Sequence, residues 1–537
     1  MSFKLNQSQQ LTLEDSFLNL SPRTQKIVMN SWAKDFADIV FPAINEERFS
    51  VLYSDRKLSR ANTPVNVIIG ALILKENLGL TEDELFESIC CDIRFQYALH
   101  TTHLKDQPIS DRTFSRFRER LYNYERATQI DLLKEEMQSL NDTYARFMKL
   151  NSSIKRMDSL MVASNCKHMS RLEIIYTTVH NAIRYLQKQD AADRIPEELK
   201  HYIDPDDLNK VIYYCKSDDV DSRLDKVIRE ATIVRDILDT ESWRDSSEFQ
   251  LLLRVLDEQT QIDEKGNIRP KDKADISSSS LQNPSDPDAT FRRKAGKSNK
   301  GYVGNLVETV GEEGDSLITD IRYEKNTHSD SAFCEEYLSN REDNSPNEIM
   351  ITDGAYNSTN NQKLAEAKNV KLVSTALTGQ TPNRIFSRFI LSDDGTKVLS
   401  CPMGHTPEKC TYYPKTGICR AQFSRCHCEN CPHREDCKGK PQRKTYAVHI
   451  SSKMVTRAAY AEKLSTEEYR TLSRMRNAIE GIPSVLRRKF RVDEIPVFGL
   501  IRSKMFFTTK IMAYNFGKLI RSMAKQRANS AQMAATT

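Results

Sequence analysis

Between residues 63 and 121 apolar positions recur at helical spacing, and the residues between them mark where each helix begins and ends. Thr63 and Pro64 are start signals for an apolar helix that runs to Asn77, and Gly79 closes it. Thr81 with Glu84 forms a capping box for a short helix to about Cys90. A third helix is expected from Ser110 or Asp111, with Phe114, Phe117 and Leu121 on one face and Arg112, Arg116, Arg118 and Arg120 elsewhere. The pattern then changes: SIKRMDSLMV reads as a short strand carrying a lone acid, Asp158. Helical stripes return at Ile175, Val179, Ala182 and Leu186, and again at Leu224, Val227, Ile228, Ala231, Val234 and Leu238.

The serines and prolines of KDKADISSSSLQNPSDPDAT mark a linker. Beyond it, GYVGNLVETV, a turn at GEEGD and SLITDIRYE read as a β-hairpin. EIMITD is a buried type of strand ending at Asp353; a polar helix, NSTNNQKLAEAKN, leads to a further strand, VKLVST, and that spacing predicts a parallel βαβ unit. ILSDDGTKVLS is a second hairpin signal. A helix is expected from near Ser465 to just before Pro483, with Ser473, Arg476 and Glu480 on one face. No internal repeat is evident.

Length and composition narrow the class. At ~100 to 200 residues per domain, 537 residues suggest three or four folded units. With 39% hydrophobic and 28% charged residues, the chain is neither a membrane bundle nor a disordered acidic tail. The longest nearly unbroken apolar run, Val67 to Leu74, falls far short of the ~20 residues that span a bilayer. The start, MSFKLNQSQQ, lacks a secretory pattern, so a cytoplasmic protein is expected, in which the twelve cysteines are thiols or metal ligands rather than disulfides.

The net charge of +5 is unevenly spread. Val485 to Arg527 holds eleven Lys or Arg against Asp493 and Glu494, a balance of +9, whereas Pro196 to Pro270 sums to −8. A basic end and an acidic middle suit one surface that meets a polyanion and another that avoids it, although solvated helix faces give the same arithmetic. Short helices followed by the arginine-rich one fit either a helix-turn-helix that lays its last helix on DNA or a bundle with a solvated arginine face.

Two sets of residues carry candidate chemistry. Seven cysteines fall between 401 and 437, and Cys428 and Cys431 form a CxxC turn that suits tetrahedral Zn²⁺. Cys401, Cys428, Cys431 and Cys437 are the first choice for a closed structural zinc site. His405, Cys410, Cys419, Cys426 and His433 are the substitutes. Redox cycling of the CxxC would need a thioredoxin-like βαβ context that this segment lacks. The second set is acidic. Asp158 on one strand, Asp353 at the end of another and Glu480 on a helix form a set that could hold two Mg²⁺ ions ~3.5 to 4 Å apart for in-line attack on a phosphodiester. Any one of these acids alone reads as a solvated residue or a helix cap.

Taken in order, these segments resemble the DDE transposases of bacterial insertion sequences. MDSLMVASN resembles the first acidic motif, ITDGAY the second and RNAIEG the third. SDPDATFRRKAGKSNKGYVGNLVETV with NTHSDSAF resembles the core strands between them. CPMGH, the CxxCPxxxxC segment and the stretch from FSVLYSDRKLSRANTPVNVIIGALIL to TFSRFRERL also match. The resemblance implies an α/β fold: a ribonuclease-H-like mixed-sheet core with a helical N-terminal domain, an acidic helical insertion and a Cys-rich insertion. It implies a helical DNA-binding domain over residues 1–150, and a catalytic core over 151–168, 285–376 and 461–527. The acidic insertion with its linker takes 169–284, the Cys-rich, zinc-binding insertion 377–460, and a disordered tail 528–537.

It further implies that Asp158, Asp353 and Glu480 are the catalytic acids, holding two Mg²⁺ or Mn²⁺ ions, with a structural Zn²⁺ apart from them. The substrates would be transposon terminal inverted repeats and target DNA, handled by a homodimer, with no membrane. Arg476, Arg487, Arg488, Lys489, Arg112 and Arg116 are the DNA-contact candidates. A related branch carries Tyr, Arg, Glu and Lys around the last acid. Here Arg476 matches the Arg, while Ser473 and Arg487 stand in place of Tyr and Lys. The rival readings are an inactive element-derived DNA-binding protein, and a ribonuclease-H-like nuclease that cuts without joining.

Overall fold

The computed structural model describes residues 1–6, 15–54, 60–102, 109–110, 112–214, 219–240, 242–294, 296–311, 314–375 and 383–536. Pro22–Met29 (α1) opens a helical region in which α2 (Val65–Leu78) ends on left-handed Gly79, and α3 (Glu82–Cys91) begins at the Thr81/Glu84 capping box. α4 (Thr113–Thr128) buries Phe114, Phe117 and Leu121 as its spacing predicts, and α5 (Leu132–Phe147) lies beside the sheet. Of the two starts proposed for α4, Asp111 lies outside the described residues.

β1 (Ile154–Ala163) is the central strand. The acidic block follows as α6 (Arg171–Lys188), α7 (Val220–Leu238) and α8 (Ser247–Gln259). Both apolar stripes read from the sequence close on a separate hydrophobic cluster of that block, with Val179, Leu186, Val234 and Leu238 fully buried. The chain returns through β2 (Thr290–Lys294), β3 (Lys297–Val310), β4 (Ser316–Lys325), α9 (Asp330–Ser339), β5 (Glu348–Thr352), α10 (Thr359–Ala367) and β6 (Val370–Ser374). The sheet order is β2-β3-β1-β5-β6, with β4 also paired to β3. β3 runs antiparallel to β1 and β4, whereas β1, β5 and β6 are mutually parallel, the βαβ unit expected around α10. In the hairpin turn between β3 and β4, residues 312–313 lie outside the described set.

Alternation along the strands divides the core in two. Met157, Met161, Val303, Val307 and Met350 face α9 and α10, where Phe333, Leu338 and Ala365 meet them. On the other face, Leu160, Val162, Tyr302 and Leu306 join a large cluster that includes the N-terminal helices and Phe507, Ile511 and Phe516 of α14 (Leu500–Thr536). The cysteine-bearing segment forms its own antiparallel sheet, β7 (Lys409–Tyr413), β8 (Ile418–Ser424) and β9 (Thr445–Ile450), with a separate small core. The predicted hairpin pairs Ile390–Leu391 with Val398–Ser400. α11 (Ser452–Lys463) and α12 (Glu467–Arg476) then lead back to the main sheet.

Three expectations need correction. The helix expected to stop before Pro483 does not stop: α12 passes into a 3-10 turn, Asn477–Glu480, and then into α13 (Gly481–Arg488). Pro483 is tolerated because it falls in the first turn of α13, where backbone N–H groups have no helical partner to lose. The serine- and proline-rich linker is a packed strap over its second half, where Ser280, Leu281, Gln282, Asn283 and Asp286 are buried. Asp286 explains the packing, since it accepts from Tyr302 Oη and Ser164 Oγ, each at 2.5 Å, and from Gly499 N–H at 3.0 Å. Last, the stretch read as a disordered tail from 528 continues α14 as far as Thr536.

Candidate active site

Strand parity and register bring Asp158 and Asp353 to one face, and Glu480 follows the helix packed on that face. Ile154, Lys155 and Arg156 of β1 pair with Ile349, Met350 and Ile351 of β5. Carried two residues further, that register sets Asp353 opposite Asp158. Asp353 keeps an extended backbone (φ −81°, ψ 176°) just past the strand end, and its Oδ1 accepts from Ala355 N–H at 2.7 Å, capping the turn Gly354–Tyr356. Asp158 and Asp353 share parity with Ile154, Ile349 and Ile351, which pack with Tyr469, Leu472 and Met475 of α12. The acids therefore face the helix that leads into Glu480.

That helix is fastened to the sheet by Arg156. Its Nη1 donates to the Met475 carbonyl at 2.5 Å, and its Nε and Nη2 hold buried Glu308 on β3 at 3.1 and 2.5 Å. Arg476 sits one turn before Glu480 and pairs with it, Nη1 to Oε1 at 3.1 Å, with the arginine side chain 18% exposed and the glutamate 58%. Arg476 Nε is buried with no hydrogen-bond partner among the described residues, so part of a charged donor is left unsatisfied beside the acids.

Burial pushes the Asp158 carboxyl above the ordinary aspartate range. The Ser159 N–H and the Arg476 charge pull it down, and the neighbouring Asp353 charge pushes it up again. Beneath the acids lies a network that sequence reasoning missed. Ser159 Oγ donates to Asp330 Oδ1 at 2.7 Å, and Asn305 Nδ2 donates to Tyr356 Oη at 2.8 Å. Tyr356, Asn305 and Asp330 lie in the ITDGAY, GYVGNLVETV and NTHSDSAF segments already singled out, which was the available signal.

The DNA-contact candidates are dispersed. Arg487 is committed to Asp493 at 3.0 Å and to the Met161 carbonyl at 2.8 Å. Arg488 and Lys489 are exposed on the same turn, and Lys489 Nζ donates to Asn77 at 3.2 Å. On α4, Arg112 and Arg116 are exposed. Arg118 instead pairs with Glu82 at 2.5 Å beneath Phe506, and Arg120 lies over Tyr53. The basic C-terminal segment packs on the core, and much of its charge is used within the chain. Arg487, Arg502, Lys504, Lys510, Lys518 and Arg527 are ion-paired inside the chain, and Phe490, Phe506, Phe507, Tyr514 and Phe516 are core.

The four cysteines chosen for zinc line one small apolar cavity together with His433. Burial, and then the nearby Cys431, Cys401 and Cys428, push the Cys437 thiol up to about 12; burial and the same cluster raise Cys428. Of the substitutes, His433 shares that cavity, whereas Cys419 donates to the Gly395 carbonyl, Cys410 accepts from Val398 N–H, and Cys426 is exposed. Among the described residues, no three His, Cys, Asp or Glu side chains stand close enough to hold a metal ion as placed, either here or at the acids.

A mixed sheet in this strand order, with helices on both faces and acids on adjoining strands, is consistent with a ribonuclease-H-like core. A transposase DDE domain model matches residues 400–520, and a transposase domain model (DUF772) matches residues 27–120. The first match includes Glu480 and the four cysteines, while Asp158 and Asp353 lie outside it. No curated protein and no solved structure matches the chain. The two matches, one on either side of the acid-bearing strands, support a DDE transposase of the insertion-sequence type. A DDE domain implies a DNA substrate and divalent-metal chemistry in general. No helix among the described residues is long and apolar enough to cross a membrane.

Proposed function

We propose that this chain cuts DNA at the ends of an insertion sequence and joins the freed 3′-hydroxyl to target DNA, using Asp158, Asp353 and Glu480. The observation that carries the reading is the register that sets Asp353 beside Asp158 on the face covered by the Glu480 helix. The donor set is all oxygen, as Mg²⁺ or Mn²⁺ prefers, and two adjoining carboxylates, one partly desolvated, call for a cation between them. Bound there, divalent metal would activate water and neutralise charge on the scissile phosphate.

The chain's own groups supply positioning. Arg156 fixes the helix against β1. Arg476, with its unused Nε, is placed to hold a phosphate once Glu480 turns from it toward the other two acids. Arg488, Lys489, Arg112 and Arg116 would hold DNA further out. Arg487 would do so only by giving up Asp493. Two ends must be paired, so a homodimer on DNA belongs to the same reading. A structural Zn²⁺ among the four thiols that line one cavity belongs to the same reading; drawing them together, it would favour the thiolate forms that burial disfavours.

The test is a strand-transfer assay with labelled DNA from either flank of the gene, in Mg²⁺. Nicked 3′ ends and joined products are expected, and both should be absent with Asp353→Asn. Cutting without joining would favour a nuclease. Binding without cutting would favour an inactive end-binding protein.

A further inference from the structure

The β2–β3 hairpin carries Arg292, Arg293, Lys294, Lys297 and Lys300 within nine positions, and no carboxylate. Its pairing register sets Lys294 directly opposite Lys297 at the tip, with Arg292 opposite Asn299. Like charges opposed across an antiparallel pair destabilise it, so this tip is not built for its own stability. Two of the five cations are used internally: Arg292 Nη1 donates to the carbonyls of Asn326 and His328, and Lys300 Nζ donates to that of Met169. Arg293, Lys294 and Lys297 are exposed, and no carboxylate among the described residues pairs with Arg293 or Lys297.

The hairpin also reaches the acids. β3 bends at Gly301, where φ is +140° and a Cβ would lie 2.4 Å from the Val162 carbonyl oxygen, so only glycine fits. Beyond that bend Lys294 Nζ comes within 3.8 Å of Asp330 Oδ2, and Asp330 accepts from Ser159, the residue after Asp158. Lys294 is near enough that its charge acts on the Asp158 carboxyl.

From this geometry we infer that the β2–β3 hairpin is a phosphate clamp: Lys294 and Lys297, flanked by Arg293, hold the DNA backbone next to the scissile position, and Gly301 aims them there. The inference rests on the proposed function and adds the residues that would hold substrate beside the acids. A polyanion across the tip removes the repulsion between Lys294 and Lys297. The nearest internal partner, Asp330, is already engaged by Ser159 and only loosely met by Lys294.

The experiment compares full-length wild type with Lys294→Ala/Lys297→Ala and Lys294→Arg/Lys297→Arg. It measures affinity for duplex DNA across a range of salt concentrations, thermal melting, and strand transfer on element ends. The alanine pair should lower the slope of log affinity against log salt by about two, roughly one for each phosphate no longer neutralised, with an unchanged melting temperature, and the arginine pair should restore it. Strand transfer by the alanine pair should fall, with most of the deficit recovered at higher DNA concentration. An unchanged salt slope would overturn the clamp, whether or not melting falls; a fall in melting alone would mean that the lysines serve Asp330. Should wild type join no strands while the slope still drops, the clamp stands and the transposase reading fails. Lys297→Ala alone, at a fully solvated tip, should lower the slope by about one and provides the same test if the double variant folds poorly.

Discussion

Asp158 is held where a free carboxylate would not choose to be, and that sets a measurable conflict. Its folded-state pKa lies above the unfolded value of about 3.9, so at low pH both states are protonated and nothing is lost. As pH rises the unfolded chain ionises first, and the folded state loses stability until the pH passes the raised folded value; the loss then persists. Asp158→Asn should therefore melt higher than wild type at pH 7, with the difference vanishing toward pH 4, while cleavage falls by at least about 10²-fold. Added Mg²⁺ should raise the melting temperature of wild type and not of the variant, since only the acid form gains a ligand. Melting curves across pH with and without Mg²⁺ check both statements. Asp353→Asn should likewise abolish cleavage and leave duplex affinity within about twofold, because the change removes a metal ligand and no basic side chain. As a set, in order and through the resemblance, the three acids could be nominated from sequence, where each alone reads as a solvated residue or a helix cap. Their partners could not: Arg156, Asn305 and Asp330 sit at ordinary strand and helix positions, and only the strand pairing gives them a role.

At the scale of elements, local punctuation was legible and long-range use of polar residues was not. Thr81/Glu84 and Gly79 mark helix ends because caps act within a few residues. The strap around Asp286 reads as a linker because its partners, Tyr302 and Gly499, are distant in sequence. The same holds for α14, whose lysines look like a DNA surface until Lys510 is seen paired with Glu76 at 2.6 Å, both largely buried. Lys510→Ala should destabilise by about 1–3 kcal/mol, because buried Glu76 loses one of its two cationic partners and keeps only Lys75 at 3.1 Å, and Lys510→Met with Glu76→Gln should recover most of it. Denaturant melts of wild type and the two variants check this. Gly304 has a different reason to exist: a Cβ there would lie 2.5 Å from the Phe507 ring, so Gly304→Ala should cost about 1–3 kcal/mol by forcing α14 off the sheet.

For the whole molecule, the separate cores predict separate responses. The lobe around β7–β9 has its own small cluster, with Cys401, Cys410, Cys428 and Cys437 packed against it. If that lobe is held by zinc, purified protein carries close to one equivalent, and Cys431→Ser or a chelator should release it. Amide exchange should then rise there by orders of magnitude, while β1, β3 and β5 keep their protection. Metal analysis together with exchange mapping decides it; protein purified without chelator that contains no zinc would reject the site. The N-terminal helices behave otherwise. Val65, Ile69 and Phe117 belong to one cluster with Leu306 of the sheet and Phe507, Ile511 and Phe516 of α14. Their apolar spacing was plain in the sequence, but periodicity shows that a face is buried and not what buries it.

That shared cluster governs how the protein is made. On the ribosome the N-terminal helices emerge long before α14, whose side chains help to cover them. The most apolar helix therefore waits, partly uncovered, until α14 has been made. A product cut short before residue 500 has no stable N-terminal half to leave behind. It should be cleared by proteases instead of persisting as a fragment, so a damaged copy of the gene would yield no competitor of the intact protein.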